Sequence, residues 1–156
     1  MTALHSTVAE LGRAGPRELG SGEWMTIEQS RVNLFADATD DHQWIHVDTE
    51  RAVSGPFGTT IAHGYLTLSL LPRMLDELLV VTDQVRGTNY GIDRLRFTDP
   101  VPVGSRIRLE ARIAEAQPRD DGGVQYKIAF RVQVQGRDRP AVVGESIYLA
   151  YSDPGS

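Results

Sequence analysis

The sequence predicts an α+β fold in which an antiparallel β-sheet carries a long central hydrophobic helix on one face. Three observations lead there. Ile107, Leu109, Ala111 and Ile113 alternate with Arg106, Arg108, Glu110 and Arg112, and Val124, Tyr126, Ile128, Phe130, Val132 and Val134 continue the pattern without a fault. A period of two marks strands with one buried face. Ahead of them, Ile61 to Leu71, extended by Met74, Leu75, Leu78 and Leu79, is apolar on nearly every side, the signature of a helix at the centre of a fold. Finally, 156 residues with 40% hydrophobic and 24% charged side chains suit one globular domain that buries a real core.

In chain order, Leu4, Val8 and Leu11 stand at helical spacing, which predicts a short amphipathic helix over 3–14 ended by Gly15-Pro16. Glu23 to Thr26 reads as a brief strand. Thr26 and Gln29 have capping-box spacing before a helix with Val32, Phe35 and Ala36 on one stripe, ending near Thr39. Residues 40–60 read as a long polar loop with a helical turn at Thr49 to Val53, and loops of that length usually carry function. Pro72 cannot donate to the Leu68 carbonyl, so the apolar helix should kink or end there. In Thr88 to Phe97 the apolar parity switches between Ile92 and Leu95, predicting a bulge near Asp93-Arg94. Turn clusters at 117–123 and 135–140 make the remaining strands an antiparallel meander.

Composition excludes several classes of function. Sixteen basic and twenty-one acidic residues give a formal charge of −5 with no basic cluster, so no nucleic-acid partner is expected. Apolar runs stop at about four residues, as in Leu78 to Val81, so no membrane span is expected. Without cysteine there is no disulfide, thiolate metal site or cysteine nucleophile. The first twenty residues lack an apolar signal core, which fits a cytoplasmic address.

Chemistry should concentrate where three of the four histidines lie, in or beside the loop before the apolar helix. Asp40, Asp41 and Asp48 bracket His42 and His46, and a carboxylate with an imidazole can hold and deprotonate a water. The same residues also suit solvated loop positions and helix caps. His42 and His46 are four apart, a spacing that could hold a metal on one helix face. Gln43-Trp44 lacks the general base of helical zinc hydrolases and no third ligand is evident, so no metal is expected. Gly64, at the start of the apolar helix, could present its N–H to an oxyanion or simply permit close helix–sheet packing. His63 is either part of the site or a satisfied semi-buried histidine.

The run Phe35-Ala36-Asp37-Ala38-Thr39-Asp40-Asp41-His42-Gln43-Trp44-Ile45-His46, followed by Ile61-Ala62-His63-Gly64, resembles the hydratase-2 motif of MaoC-like (R)-specific enoyl-CoA hydratases of the hot-dog fold. Asn89 to Phe97 looks like the branch that includes NodN-like proteins and (3R)-hydroxyacyl-CoA dehydratases. Residues 1–18 are read as a helical lead-in, and the resemblance implies a single hot-dog domain over 19–152. It makes Asp41 and His46 the catalytic pair, and Gly64 the oxyanion donor. Ser69 would orient the site, with simple bonding to its own helix as the other reading. The chain departs from the family where Asp40 replaces a glycine and Gln43-Trp44 replaces Asn-Pro.

The activity implied is reversible syn addition of water to a trans-2-enoyl-CoA, with the coenzyme A thioester as substrate and no cofactor. Trp44, Tyr65 and Leu66 are candidate walls for the acyl tail, or else ordinary core. A homodimer is expected, because the sheet leaves an open edge. Two alternatives share the fold: an acyl-CoA thioesterase, and a non-catalytic module that binds acyl-CoA or another small ligand.

Overall fold

Period-two alternation does produce the main sheet. The computed structural model describes residues 2–153. Its larger sheet comprises β2 (Arg17–Ser21), β3 (Met25–Thr26), β5 (Gln84–Phe97), β6 (Arg106–Pro118), β7 (Val124–Val134) and β8 (Val142–Ser152). The strand order is β2-β6-β7-β8-β5, with β3 also on β6 and every pairing antiparallel. The predicted apolar series on β6 and β7 is buried throughout. Ile107, Leu109, Ile113 and Ile128 are fully buried, worth about 2 kcal/mol each relative to exposure. The predicted bulge exists. Register shifts between Asp93 and Arg96, where Arg94 has φ 53°.

The apolar segment lies against that face as two short helices rather than one long one. α5 (Gly64–Ser69) and α6 (Leu71–Leu75) meet at Leu70, whose N–H donates to Leu66 and whose carbonyl accepts from Met74. Pro72, with no N–H to give, falls in the first turn of α6, where a helix tolerates it. The segment also has an outer side, since Tyr65, Ser69, Pro72 and Arg73 are exposed while Leu66, Leu70, Leu71 and Met74 enter the core.

Two further predictions are corrected. The helix expected over 3–14 is β1 (Leu4–Ser6) followed by α1 (Val8–Leu11), because β1 pairs in parallel with β4 (Leu79–Val81). The same pairing draws Leu79 out of the predicted helix. Val8 and Leu11 still reach the core, and Thr7 with Glu10 closes a capping box. α2 (Gln29–Thr39) begins from Glu28 with no side-chain cap, so Thr26 and Gln29 do not form one. Gln29 is engaged elsewhere. α3 (Trp44–Val47) and α4 (Thr49–Val53) complete the elements. No helix among the described residues is long and apolar enough to cross a membrane.

Candidate active site

The end of α2 aims the site. Asp40 takes the left-handed conformation at φ 58°, which aspartate tolerates better than most residues. The chain therefore turns sharply into Asp41. Five residues after Asp41, His46 is carried inward, to 7% exposure, by α3, a single helical turn absent from the sequence reading. Residues 60–62 thread alongside: Ile61 N–H donates to the Ile45 carbonyl at 2.9 Å and Ala62 N–H to Val101 at 2.8 Å. This leaves the Ile61 carbonyl 2.7 Å from His46 Nδ1. A carbonyl only accepts, so Nδ1 carries the proton and neutral His46 keeps its lone pair on Nε2. Burial pushes the His46 pKa below its ordinary value, and the neighbouring His63 adds to that against the opposing pulls of the Ile61 bond and Asp41.

His63 lies at the other end of the loop, immediately before α5. Its ring stacks on His46 with centroids 3.9 Å apart and also meets Phe35 at 4.9 Å. Its Nε2–H donates to the Asp41 carbonyl at 2.9 Å. The Nδ1 atom is buried with no partner among the described residues. One ligand-type atom from each of Asp41, His46 and His63 lies within 4.8 Å of the others, so the structure gathers residues spread over 23 positions into one cluster. Such a set of atoms could also hold a divalent cation.

His46 and Gly64 share the wall of a cavity of about 240 Å³ between α5 and the start of β8, closed by Thr67, Phe97, Asp99 and Val142. Gly64 is the first residue of α5, so its N–H has no helical carbonyl to bond. A Cβ at Gly64 would stand 2.8 Å from the Phe97 ring. The glycine therefore permits close approach whatever else it does.

Other predicted residues lie apart from this cluster. Ser69 Oγ donates to its own helix, to Tyr65 O at 2.6 Å, and lines a different cavity with Tyr90, Ile92, Ser146 and Tyr148. Tyr65 points outward against Phe97 at 5.7 Å. Trp44 stacks under Arg51 and packs on Gly55, bracing α3 on α4. Neither aromatic lines the His46 cavity: Trp44 is held on α4, and Tyr65 packs against Phe97 from outside. Leu66 is core. His42 pairs with Asp37 at 2.8 Å on the surface, which raises its pKa, so His42 and His46 do not form the spaced pair of ligands.

Three residues at the site escaped the sequence reading. Gln29 Nε2 donates to the His46 carbonyl at 2.8 Å while its Oε1 accepts from Thr60 at 2.6 Å. Together they tie α3 to α2 and to the 60–62 strap. Phe97, a strand-end aromatic, covers Gly64. None has a local signal, since each acts on a partner at least 17 residues away.

A family model described as "MaoC like domain" matches residues 14–133. The chain is 50% identical over 141 residues to 3-hydroxyacyl-thioester dehydratase Z of Mycobacterium tuberculosis (strain ATCC 25618 / H37Rv), covering 90% of this chain and 93% of that one. It is 45% identical over 140 residues to Nodulation protein N of Rhizobium leguminosarum bv. viciae, covering 88% and 87%. Among solved structures, R-hydratase PhaJ1 from Pseudomonas aeruginosa in the unliganded form superposes with a TM-score of 0.74 at 25% identity, over 94% of this chain and 86% of that one.

Proposed function

The chain belongs to the MaoC-like dehydratase family, and from that premise we propose that it is a hydro-lyase of the hot-dog fold. It interconverts trans-2-enoyl-CoA and (3R)-3-hydroxyacyl-CoA. The observation that supports this best is the meeting of Asp41, His46 and His63 beside a cavity that also receives the first residue of α5.

Water is a poor nucleophile and the C2 carbanion is unstable, so the site must act at both ends. His46, neutral and tautomerically fixed by Ile61, accepts a proton at Nε2 as the water oxygen adds to C3. Asp41 orients that water. Negative charge grows on the thioester oxygen, where the Gly64 N–H receives it. The imidazolium then returns the proton to C2 from the same face, so one water is consumed and His46 is regenerated. No metal or organic cofactor takes part.

The acyl tail extends along the seam between the helices and the sheet. Beyond the His46 cavity lie spaces of about 450 Å³ and about 170 Å³ that share Tyr148, and β8 carries Val142, Ser146 and Tyr148 along that line. The working molecule is a homodimer joined through β5, the outer strand in the order β2-β6-β7-β8-β5, and the reaction is cytoplasmic.

The test is the loss of enoyl-thioester absorbance on adding crotonyl-CoA, with chiral analysis of the product. Formation of the (3R)-hydroxyacyl-CoA is expected. Release of free thiol instead would make the protein a thioesterase, and binding without turnover a ligand module.

A further inference from the structure

The dry face of β7 carries one phenol where its other inward residues are hydrocarbon. Tyr126 stands directly opposite Tyr148 of β8, the two rings stacked 5.4 Å apart, and both residues are more than nine-tenths buried, at 7% and 8% exposure. Period-two alternation puts each of them in the core. A hydroxyl there without a partner costs stability that phenylalanine would not. Tyr148 has Ser146 within hydrogen-bond reach, whereas Tyr126 Oη has no hydrogen-bond partner among the described residues. Both phenols line the cavity of about 170 Å³, whose wall also includes Asp76, the residue that ends α6. We propose that this chamber binds a hydroxyl group at the far end of a long acyl chain, so that the preferred substrate is an ω-hydroxyacyl thioester. The inference rests on the hydratase reading given above.

The groups in the chamber fit a hydroxyl better than the other common chain ends. Burial pushes the pKa of both phenols above the ordinary value, and the Asp76 carboxylate adds to this in each case, while Ser146 opposes it at Tyr148. Tyr126 therefore keeps its proton as a donor, and Asp76 is an acceptor whose charge reaches both rings. An alcohol takes one bond of each kind, accepting from Tyr126 and donating to Asp76. A terminal methyl would leave the phenol unsatisfied, and a terminal carboxylate would face the like charge of Asp76.

The chamber also continues the seam assigned to the acyl tail. It shares Pro72, Asn89 and Tyr148 with the space of about 450 Å³, where Leu68, Leu71 and Ile92 offer an apolar path. Val142, in the wall of the His46 cavity, and Tyr148 are both on β8, separated by about 20 Å of strand. An extended alkyl chain advances about 1.3 Å per carbon, given its C–C bond length. A tail of on the order of fifteen carbons therefore spans the distance, while a short chain ends before the polar groups begin.

The test compares trans-2-hexadecenoyl-CoA with its 16-hydroxy counterpart, each below its micelle concentration. The parent should favour the hydroxylated chain about tenfold in kcat/KM, because a site built to bond a hydroxyl discriminates against the chain that lacks one. Tyr126→Phe removes one oxygen and keeps the ring stack, and the preference should fall to near unity. Asp76→Asn, at an exposed position, provides the same comparison if Tyr126→Phe does not fold. A parent that treats both chains alike, or a preference that persists undiminished in the variant, overturns the proposal. Calorimetry with hexadecanoyl-CoA and 16-hydroxyhexadecanoyl-CoA gives a readout independent of turnover, and tighter binding of the hydroxylated chain to the parent is expected. If neither enoyl thioester is turned over while that binding preference holds, the hydratase reading fails and the chamber stands. If turnover is observed and neither measurement separates the chains, the chamber fails and the hydratase reading stands.

Discussion

The imidazoles of His46 and His63 stack 3.9 Å apart with planes inclined by 25°, while each ring donates a proton to a backbone carbonyl, of Ile61 and of Asp41 respectively. Two sequence segments 17 residues apart are thus joined by ring contact, and His63 holds the backbone of the residue whose carboxylate shares the cluster. His63→Phe keeps the apolar contact with Phe35 and loses the bond to Asp41. The expected result is a fall in kcat of about tenfold with the melting temperature nearly unchanged. Unaltered kcat would restrict His63 to a packing role.

Removing the proton-transfer group, or the carboxylate that orients its water, should cost far more. Asp41→Asn and His46→Gln are each expected to lower kcat by a factor on the order of 10² or more, with the circular dichroism spectrum preserved. Near-normal turnover in both variants would eliminate the assigned pair.

The pH profile follows from the burial of His46. Its pKa in the folded protein lies below the ordinary 6.5, and the base proposed for His46 acts when neutral, so the acid limb of kcat should have its midpoint below that value. Stability has the same sign. In the unfolded chain His46 takes up its proton near the ordinary value, whereas the folded protein resists it. The resulting stabilisation is complete above the ordinary pKa and is lost as pH falls through the folded value. The parent should therefore lose melting temperature relative to His46→Gln between roughly pH 7 and pH 5. A constant difference across that range would show that His46 is not titrating as a buried base.

Much of this arrangement was legible in the letters and some of it was not, for physical reasons. The strands β6 and β7 announce themselves because each has one wet face and one dry one, and Asp41 and His46 are close enough in sequence to meet through local turns. The β1–β4 pair could not be read that way, since a parallel pair joins segments some 75 residues apart and Leu4, Val8 and Leu11 fit a helix equally well. α3 is one turn long and has no amphipathic period to detect. Gln29, Thr60 and Phe97 act through tertiary contacts, which leave no periodic trace, and Trp44 and Tyr65 are engaged by Arg51 and Phe97 rather than lining the cavity.

The same cluster bears on metals. Asp41, His46 and His63 offer ligand atoms within 4.8 Å of each other, and a zinc ion bound there would occupy a histidine lone pair. Activity should survive treatment with EDTA, fall on addition of zinc, and recover when EDTA follows. Loss of turnover on chelation that a divalent ion restores would instead make the metal a required part of the enzyme.

Gly64 and Phe97 can be separated by a pair of substitutions. A methyl group at Gly64 would meet the Phe97 ring at 2.8 Å, so Gly64→Ala should lower both melting temperature and kcat. Adding Phe97→Leu makes room for the methyl group. The double variant is expected to regain stability but not kcat, because the substrate carbonyl must still come close to the helix start. Recovery of both would assign the glycine to packing alone.

Strand β5 leads to a prediction about assembly. It is fourteen residues long, forms one end of the main sheet and exposes Val85, Tyr90, Ile92 and Phe97, with Tyr90 at 60% and Ile92 at 42%. A long edge strand with apolar side chains and an unpaired backbone row invites pairing with another strand. A second copy of β5 across a two-fold axis would satisfy both features and cover Phe97, which closes the His46 cavity. Light scattering on the parent at micromolar concentration should therefore give a dimer mass. Placing like charges at the centre of the proposed contact, as Tyr90→Lys/Ile92→Lys, should shift it to the monomer. Because Phe97 would then be uncovered, turnover should fall together with the dimer fraction as the protein is diluted. A parent that is monomeric at micromolar concentration would refute the pairing, and a variant that remains dimeric would place the interface on another surface.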